Sequence, residues 1–127
     1  MNTNGISDSE MEIMKILWDE GGSVYLSDLM EKLEAAGKQW KANTVLTFLT
    51  RLADKAVVKI DKRGRLNMYV ALVTESEYLD SLNRSFLGKF YGGNAKNLVA
   101  ALLRQEALSA EDVAELQAFW NKDGKKA

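Results

Sequence analysis

Between residues 40 and 72 the chain changes its apolar period once, and that switch restricts the possible folds more than any other feature. From Ala42 to Lys55 the apolar side chains recur at helical spacing. Ala42, Val45, Leu46, Leu49, Leu52, Ala53 and Ala56 form the core-facing ladder of an amphipathic helix of about four turns. From Val58 the period drops to two. Val58 and Ile60 alternate with Lys59 and Asp61, then Leu66, Met68 and Val70 alternate with Asn67 and Tyr69, giving two strands that end near Leu72. The face carrying Val58, Ile60, Leu66, Met68 and Val70 is expected to pack on the helices. Gly64 is expected to supply the positive φ of a tight turn, leaving the Arg63 and Arg65 guanidinium groups at its tip without a neighbouring acid.

The other side of that helix is polar. Asn43, Thr47, Arg51 and Asp54 lie in one row with Thr44 and Thr50 beside it. Short hydroxyl and amide groups suit close approach to base edges, and an arginine reaches a guanine or a phosphate. A helix of this kind followed at once by a basic-tipped hairpin is how a winged helix-turn-helix presents itself to DNA. The candidate DNA-binding residues are Lys41, Asn43, Thr44, Thr47 and Arg51 on the helix and Lys62, Arg63 and Arg65 on the wing. Charge distribution agrees. The chain has a net charge of −1, yet residues 1–37 hold two basic side chains against eight acidic ones, whereas residues 38–65 hold eight basic against two acidic. Contacts to phosphate are local, so the basic excess on one helix and hairpin matters more than the total. The alternative from a different class is a winged-helix module whose polar helix contacts another protein, without DNA.

The inventory removes much chemistry. With no cysteine and no histidine, disulfides, thiolate or imidazole metal sites and Ser-His-Asp or Cys-His catalysis are excluded. The carboxylate pairs Glu75 with Glu77 and Asp112 with Glu115 stand at helix starts, where acids serve caps and the helix dipole, so no enzyme, cofactor or metal site is expected. No apolar run approaches the ~20 residues of a membrane span, and the N-terminus lacks the pattern of a signal peptide. The expected location is the cytoplasm.

Along the rest of the chain, Ser7-Asp8-Ser9-Glu10 has the form of a capping box before a helix carrying Met11, Met14, Leu17 and Trp18 and ending near Glu20. Gly21-Gly22 stops it. Ser23-Val24-Tyr25 is long enough for one short strand pairing with the hairpin edge. Ser27 is the expected cap of a second helix, lined by Leu26, Leu29, Met30 and Leu33 and closed by Gly37 in left-handed conformation. Thr74-Glu75-Ser76-Glu77 is a second capping box, opening a helix with Tyr78, Leu79, Leu82, Phe86, Phe90 and Tyr91 on one stripe, broken by Gly92-Gly93. A fifth helix starts at Asn94 and carries Leu98, Val99, Leu102 and Leu103. Ser109 caps a sixth with Val113, Leu116, Phe119 and Trp120, and Asp123 to Ala127 read as a frayed end. The fold class is mainly α with a small β-hairpin (α+β): a winged helix-turn-helix over residues 1–73, then a three-helix dimerisation region over 74–127. Three short helices cannot hide so many large apolar groups, so a second copy is the expected cover, through Tyr78, Leu82, Phe86, Phe90, Leu98, Leu102, Leu116, Phe119 and Trp120. A fold of these helices back onto the first lobe is the alternative.

The order of motifs resembles the penicillinase-repressor family (BlaI/MecI/CopY) of bacterial winged-helix transcriptional repressors. The resemblance is carried by Ile6-Ser7-Asp8-Ser9-Glu10 with Met14 and Trp18, by Trp40, Thr44-Val45 and Thr47 with Leu49, Arg51 and Leu52, and by Gly64-Arg65 with Tyr69. It continues through Val73 to Tyr78, Ser85-Phe86-Leu87, Gly92-Gly93 and Leu108-Ser109. It implies a homodimer held by the C-terminal helices on a palindromic operator in double-stranded DNA, with Thr44, Thr47 and Arg51 in the major groove and Arg65 at the wing. The chain departs from the family pattern at three points. Asn43 stands where members often carry lysine; Ala101-Leu102 aligns with the Asn-Phe bond cut in antibiotic-responsive members; and the cysteine cluster of copper-responsive members has no counterpart here.

Overall fold

A computed structural model of the chain describes residues 6–122; the expected frayed end, Asp123 to Ala127, lies outside the described residues. The elements follow the order α1 (Asp8–Asp19), β1 (Ser23–Tyr25), α2 (Leu26–Ala35), α3 (Ala42–Asp54), β2 (Val58–Asp61), β3 (Met68–Ala71), α4 (Glu75–Tyr91), α5 (Ala95–Arg104) and α6 (Ala110–Lys122). They fall into two compact units, Met1–Ser85 and Phe86–Ala127. The division lies inside α4, past the expected boundary at residue 73. The reason is local: Tyr78 on the first turn of α4 is buried with its ring centroid 5.9 Å from that of Trp18, and the Trp18 indole Nε1 donates to the Val73 carbonyl at 2.9 Å.

The first unit is built on three helices and a three-stranded antiparallel sheet of order β1-β3-β2. Ile13, Met14 and Leu17 of α1, Leu29 and Leu33 of α2, and Val45, Leu49 and Leu52 of α3 are almost wholly buried and meet Val24, Val57, Val58 and Tyr69 in one core. Each large aliphatic side chain contributes about 1.5–3 kcal/mol by leaving water, so the apolar ladder of α3 fixes which side of that helix faces outward. The ends of the ladder behave differently. Ala42 and Ala56 are exposed: Ala42 is the first residue of α3, and Ala56 lies past its last residue, Asp54, in left-handed conformation.

Helix ends follow the sequence closely in some places and depart from it in others. Ser7 and Glu10 form the reciprocal capping box of α1, and Thr74 with Glu77 and Ser109 with Asp112 make the same pair of bonds at α4 and α6. Ser27 does not cap α2. That helix begins at Leu26 with Tyr25 as its N-cap, since β1 runs straight into it and leaves no loop for a serine to close. Gly37 takes a φ of +86° in a Schellman ending, with Lys38 N–H on the Leu33 carbonyl. At α3 the same ending is made by Ala56 at φ +62°, with Val57 N–H on Leu52.

Two expectations for the hairpin are corrected. Register pairs Ile60 with Tyr69 and Val58 with Ala71, so the core-facing side of β3 carries Tyr69 and Ala71, and Met68 and Val70 occupy the other face. Residues directly opposite in an antiparallel pair share a face, which makes register rather than hydropathy the deciding factor. Leu66 is 62% exposed, outside the strand. Gly64 is not among the positive-φ residues: β2 ends at Asp61 and β3 starts at Met68, so the connection is a loop too long to demand a left-handed residue at its tip. β1 pairs with β3 as expected of a short third strand. Three helices, a small sheet and an exposed hairpin loop in this order are a winged helix-turn-helix.

The second unit holds the last turns of α4 with α5 and α6. Asn94 caps α5 through its side-chain oxygen, and Ala101 is its buried residue. Among the described residues α6 buries none of its side chains.

Candidate nucleic-acid interface

Because Val45, Leu49 and Leu52 hold α3 to the core, Asn43, Thr44, Thr47, Thr50, Arg51 and Asp54 all emerge on its exposed side, with Lys41 at the N-cap. The Thr47 hydroxyl donates to the Asn43 carbonyl at 3.0 Å, which restrains its rotamer while the side chain stays exposed. A hydroxyl and methyl set in this way can touch a base edge without first paying rotamer entropy. Trp40 and Phe48 meet edge to face with centroids 5.3 Å apart, and the Lys38 ammonium lies 5.8 Å from the Trp40 ring centre. These contacts brace the turn from α2 into α3. The sequence contained Trp40 and Phe48 but gave no sign that they pair.

The cations expected to face DNA separate into two groups. Lys41, Arg51, Lys62 and Arg65 are exposed and, among the described residues, have no ion-pair partner. Arg63 is engaged, and so is Lys55, which enters only the basic excess of residues 38–65. Asp61 stands two residues before Arg63, and its carboxylate accepts from the Arg63 Nε and Nη2, the shortest bond being 2.8 Å. The expectation of two unopposed guanidinium groups therefore fails for Arg63, because a loop leaving β2 at Asp61 curls that side chain back over the acid. Hydrogen bonds from Arg63 hold the Asp61 carboxyl down to about 2.

Lys55 points inward. Its ammonium lies 2.6 Å from Glu10, whose side chain is 1% exposed and also accepts from the Ser7 backbone N–H at 2.9 Å. Burial pushes the Glu10 carboxyl up, but the bonds from Lys55 and Ser7 outweigh it and leave the group below its ordinary value. The box glutamate thus ties the start of α1 to the end of α3, a role that the spacing S-x-x-E does not foretell.

The residues expected at a dimer contact also divide. Tyr78 is buried against Trp18 within the first unit, and that burial raises its hydroxyl pKa. Leu98 and Leu102 are half-buried. Leu82, Phe86, Phe90, Leu116, Phe119 and Trp120 are exposed, Phe90 and Phe119 by more than 60%. Among the described residues no cluster of acids converges as a metal site, and no helix is long and apolar enough to cross a membrane.

Comparison with known proteins agrees with this geometry. The family model described as penicillinase repressor matches residues 6–122. The penicillinase repressor of Bacillus licheniformis is 33% identical over 111 residues, spanning 87% of this chain and 85% of the relative. The methicillin resistance regulatory protein MecI of Staphylococcus aureus (strain N315) is 30% identical over 120 residues, 94% of this chain and 96% of the relative. Among solved structures, the Bacillus licheniformis BlaI monomeric form in complex with the blaP half-operator matches 61% of this chain and 92% of its own, at 30% identity and a TM-score of 0.50. With its whole described length matched, the chain belongs to the penicillinase repressor family.

Proposed function

We propose that this chain is a sequence-specific DNA-binding transcriptional repressor that acts as a homodimer on a palindromic operator. One observation carries the reading: the polar row of α3 and the free cations of the hairpin loop are exposed in a unit whose apolar side chains are buried on the opposite side of α3. Asn43, Thr44, Thr47 and Arg51 enter the major groove in this reading, Lys41 neutralises a phosphate at the start of α3, and Lys62 with Arg65 contact the backbone or minor groove from the wing. Arg63 stands beside them already held by Asp61. A relative bound to a half-operator supports the DNA assignment.

The homodimer rests on the second unit and the end of α4. Phe86, Phe90, Leu116, Phe119 and Trp120 are each 43–65% exposed, more apolar surface than a small helical unit keeps in water without a partner. In this reading the helices after residue 73 join two copies and residues 1–73 read DNA in the cytoplasm. Two recognition helices related by a two-fold axis then meet half-sites one helical turn apart, about 34–36 Å, or a multiple of it.

The test is selection of bound fragments from the source genome, followed by affinity measurements across salt. Recovered sites are expected to be palindromic, and log K to fall linearly with log salt. Arg51→Ala is expected to cost about 1–3 kcal/mol at the operator while leaving the oligomer intact. A purified protein indifferent to every duplex at low ionic strength refutes the reading.

A further inference from the structure

Resting on the reading of α3 and the hairpin as a DNA-binding face, we propose that Asp61 sets the phosphate affinity of the wing: its carboxylate holds Arg63 against the hairpin and keeps that charge off phosphate. Lys62 and Arg65 then carry the wing's contacts. Asp61 is the last residue of β2, and its side chain is only 15% exposed, whereas that of Arg63 is 88% exposed. The acid is fixed in the strand and the arginine folds back to it. Arg63 Nε donates to Oδ1 at 3.0 Å and to Oδ2 at 3.2 Å, Nη2 donates to Oδ2 at 2.8 Å, and the Arg63 backbone N–H donates to Oδ1 at 3.0 Å. Both carboxylate oxygens and one whole edge of the guanidinium are used. Arg65, on the same loop, has no such partner among the described residues.

An exposed pair of this kind adds little to folding stability, so its consequence lies in binding. Sequence-independent affinity for DNA grows with every cation free to displace a counterion from phosphate, whereas the reading of sequence depends on base edges. Neutralising one wing arginine lowers the first quantity and leaves the polar row of α3 untouched. Affinity for operator and random duplex therefore falls by a similar factor, and with it the steepness of the salt dependence. The low carboxyl pKa of Asp61 keeps the acid charged through the whole range in which a repressor works.

The experiment uses the full chain, a fragment recovered by genomic selection and a random duplex, with affinity measured by fluorescence anisotropy over a salt series. Asp61→Asn frees Arg63, so the slope of log K against log salt on the random duplex is expected to steepen by ~0.9 for each wing engaged, equal to a further ~3.5-fold loss of affinity per wing over a fourfold rise in salt. Affinity at low salt is expected to rise by a similar factor on both duplexes. Arg63→Gln alone leaves the slope at its wild-type value, Arg65→Gln makes it shallower, and Asp61→Asn with Arg63→Gln returns it to the wild-type value. Asp61→Glu, which keeps the charge, stays at the wild-type slope. An unchanged or shallower slope in Asp61→Asn overturns the proposal, as does steepening that survives loss of Arg63, since carboxylate repulsion alone then accounts for it. Loss of slope in Arg63→Gln overturns it equally. A wild-type protein with steep salt dependence and an inert Asp61→Asn removes only this role; a wild-type protein that binds no duplex removes the DNA reading beneath it.

Discussion

Replacing Lys55 by methionine removes the contact between Glu10 and the end of α3. In the native chain the buried Glu10 carboxylate accepts from Lys55 Nζ at 2.6 Å and from the Ser7 N–H at 2.9 Å. Removing one partner of a fully buried ion pair costs about 3–5 kcal/mol, because the remaining charge loses its compensation in a poorly solvated place. Here the lysine side chain is 22% exposed and the Ser7 bond survives, so the expected loss for Lys55→Met at neutral pH is about 2–3 kcal/mol. The pH dependence is a second signature. Glu10 has a depressed native pKa, so its contribution is complete above the ordinary carboxylate value of 4.5 and disappears as pH falls through the lower folded value. In Lys55→Met burial gains on the remaining bonds, the carboxyl protonates at higher pH, and the penalty relative to wild type shrinks as pH falls below 4.5. Urea unfolding followed by tryptophan fluorescence, at one protein concentration and at pH 7.5 and 4, measures both. A loss under about 0.5 kcal/mol at neutral pH, or the same loss at both, refutes this account of the pair. Adding Glu10→Gln is expected to recover part of the stability at neutral pH, since the stranded charge is then gone.

Further outcomes follow from single contacts. Trp18→Phe removes the donor to the Val73 carbonyl and is expected to cost about 1–2 kcal/mol, read by calorimetry as a lower Tm; an unchanged Tm would show that the bond is idle. Ala56→Gly relieves a left-handed backbone worth roughly 1–2 kcal/mol and gives back part of it to the freer unfolded chain, for a net gain of about 0.5–1 kcal/mol in denaturant unfolding. Phe119→Ala and Trp120→Ala are expected to shift a dimer toward monomer in sedimentation while helix content stays the same, with operator affinity falling in parallel. An unchanged association constant would count against the second unit as the dimer contact. Thr47→Ala is expected to weaken operator binding with little effect on random DNA, which a competition assay at fixed salt detects.

The sequence by itself determined the order of elements and the side of α3 that faces outward. Both depend on short-range periodicity: a period near 3.6 from Ala42, a period of two from Val58, capping boxes at Ser7 and Thr74, and glycine at residue 37. Once Val45, Leu49 and Leu52 must be dry, Asn43, Thr47 and Arg51 have nowhere to go but the surface. Tertiary structure decided what depends on distance in space. The inward face of β3 follows from its pairing of Tyr69 with Ile60, although Leu66, Met68 and Val70 look equally apolar in sequence. Which cations remain free also required coordinates, since charge counts treat Lys55, Arg63, Arg65 and Arg51 alike, while the fold brings Glu10 to the first across 45 residues and curls the second onto Asp61. Local pattern fixes which residues are exposed to choose partners; only the chain's path through space fixes which partners they meet.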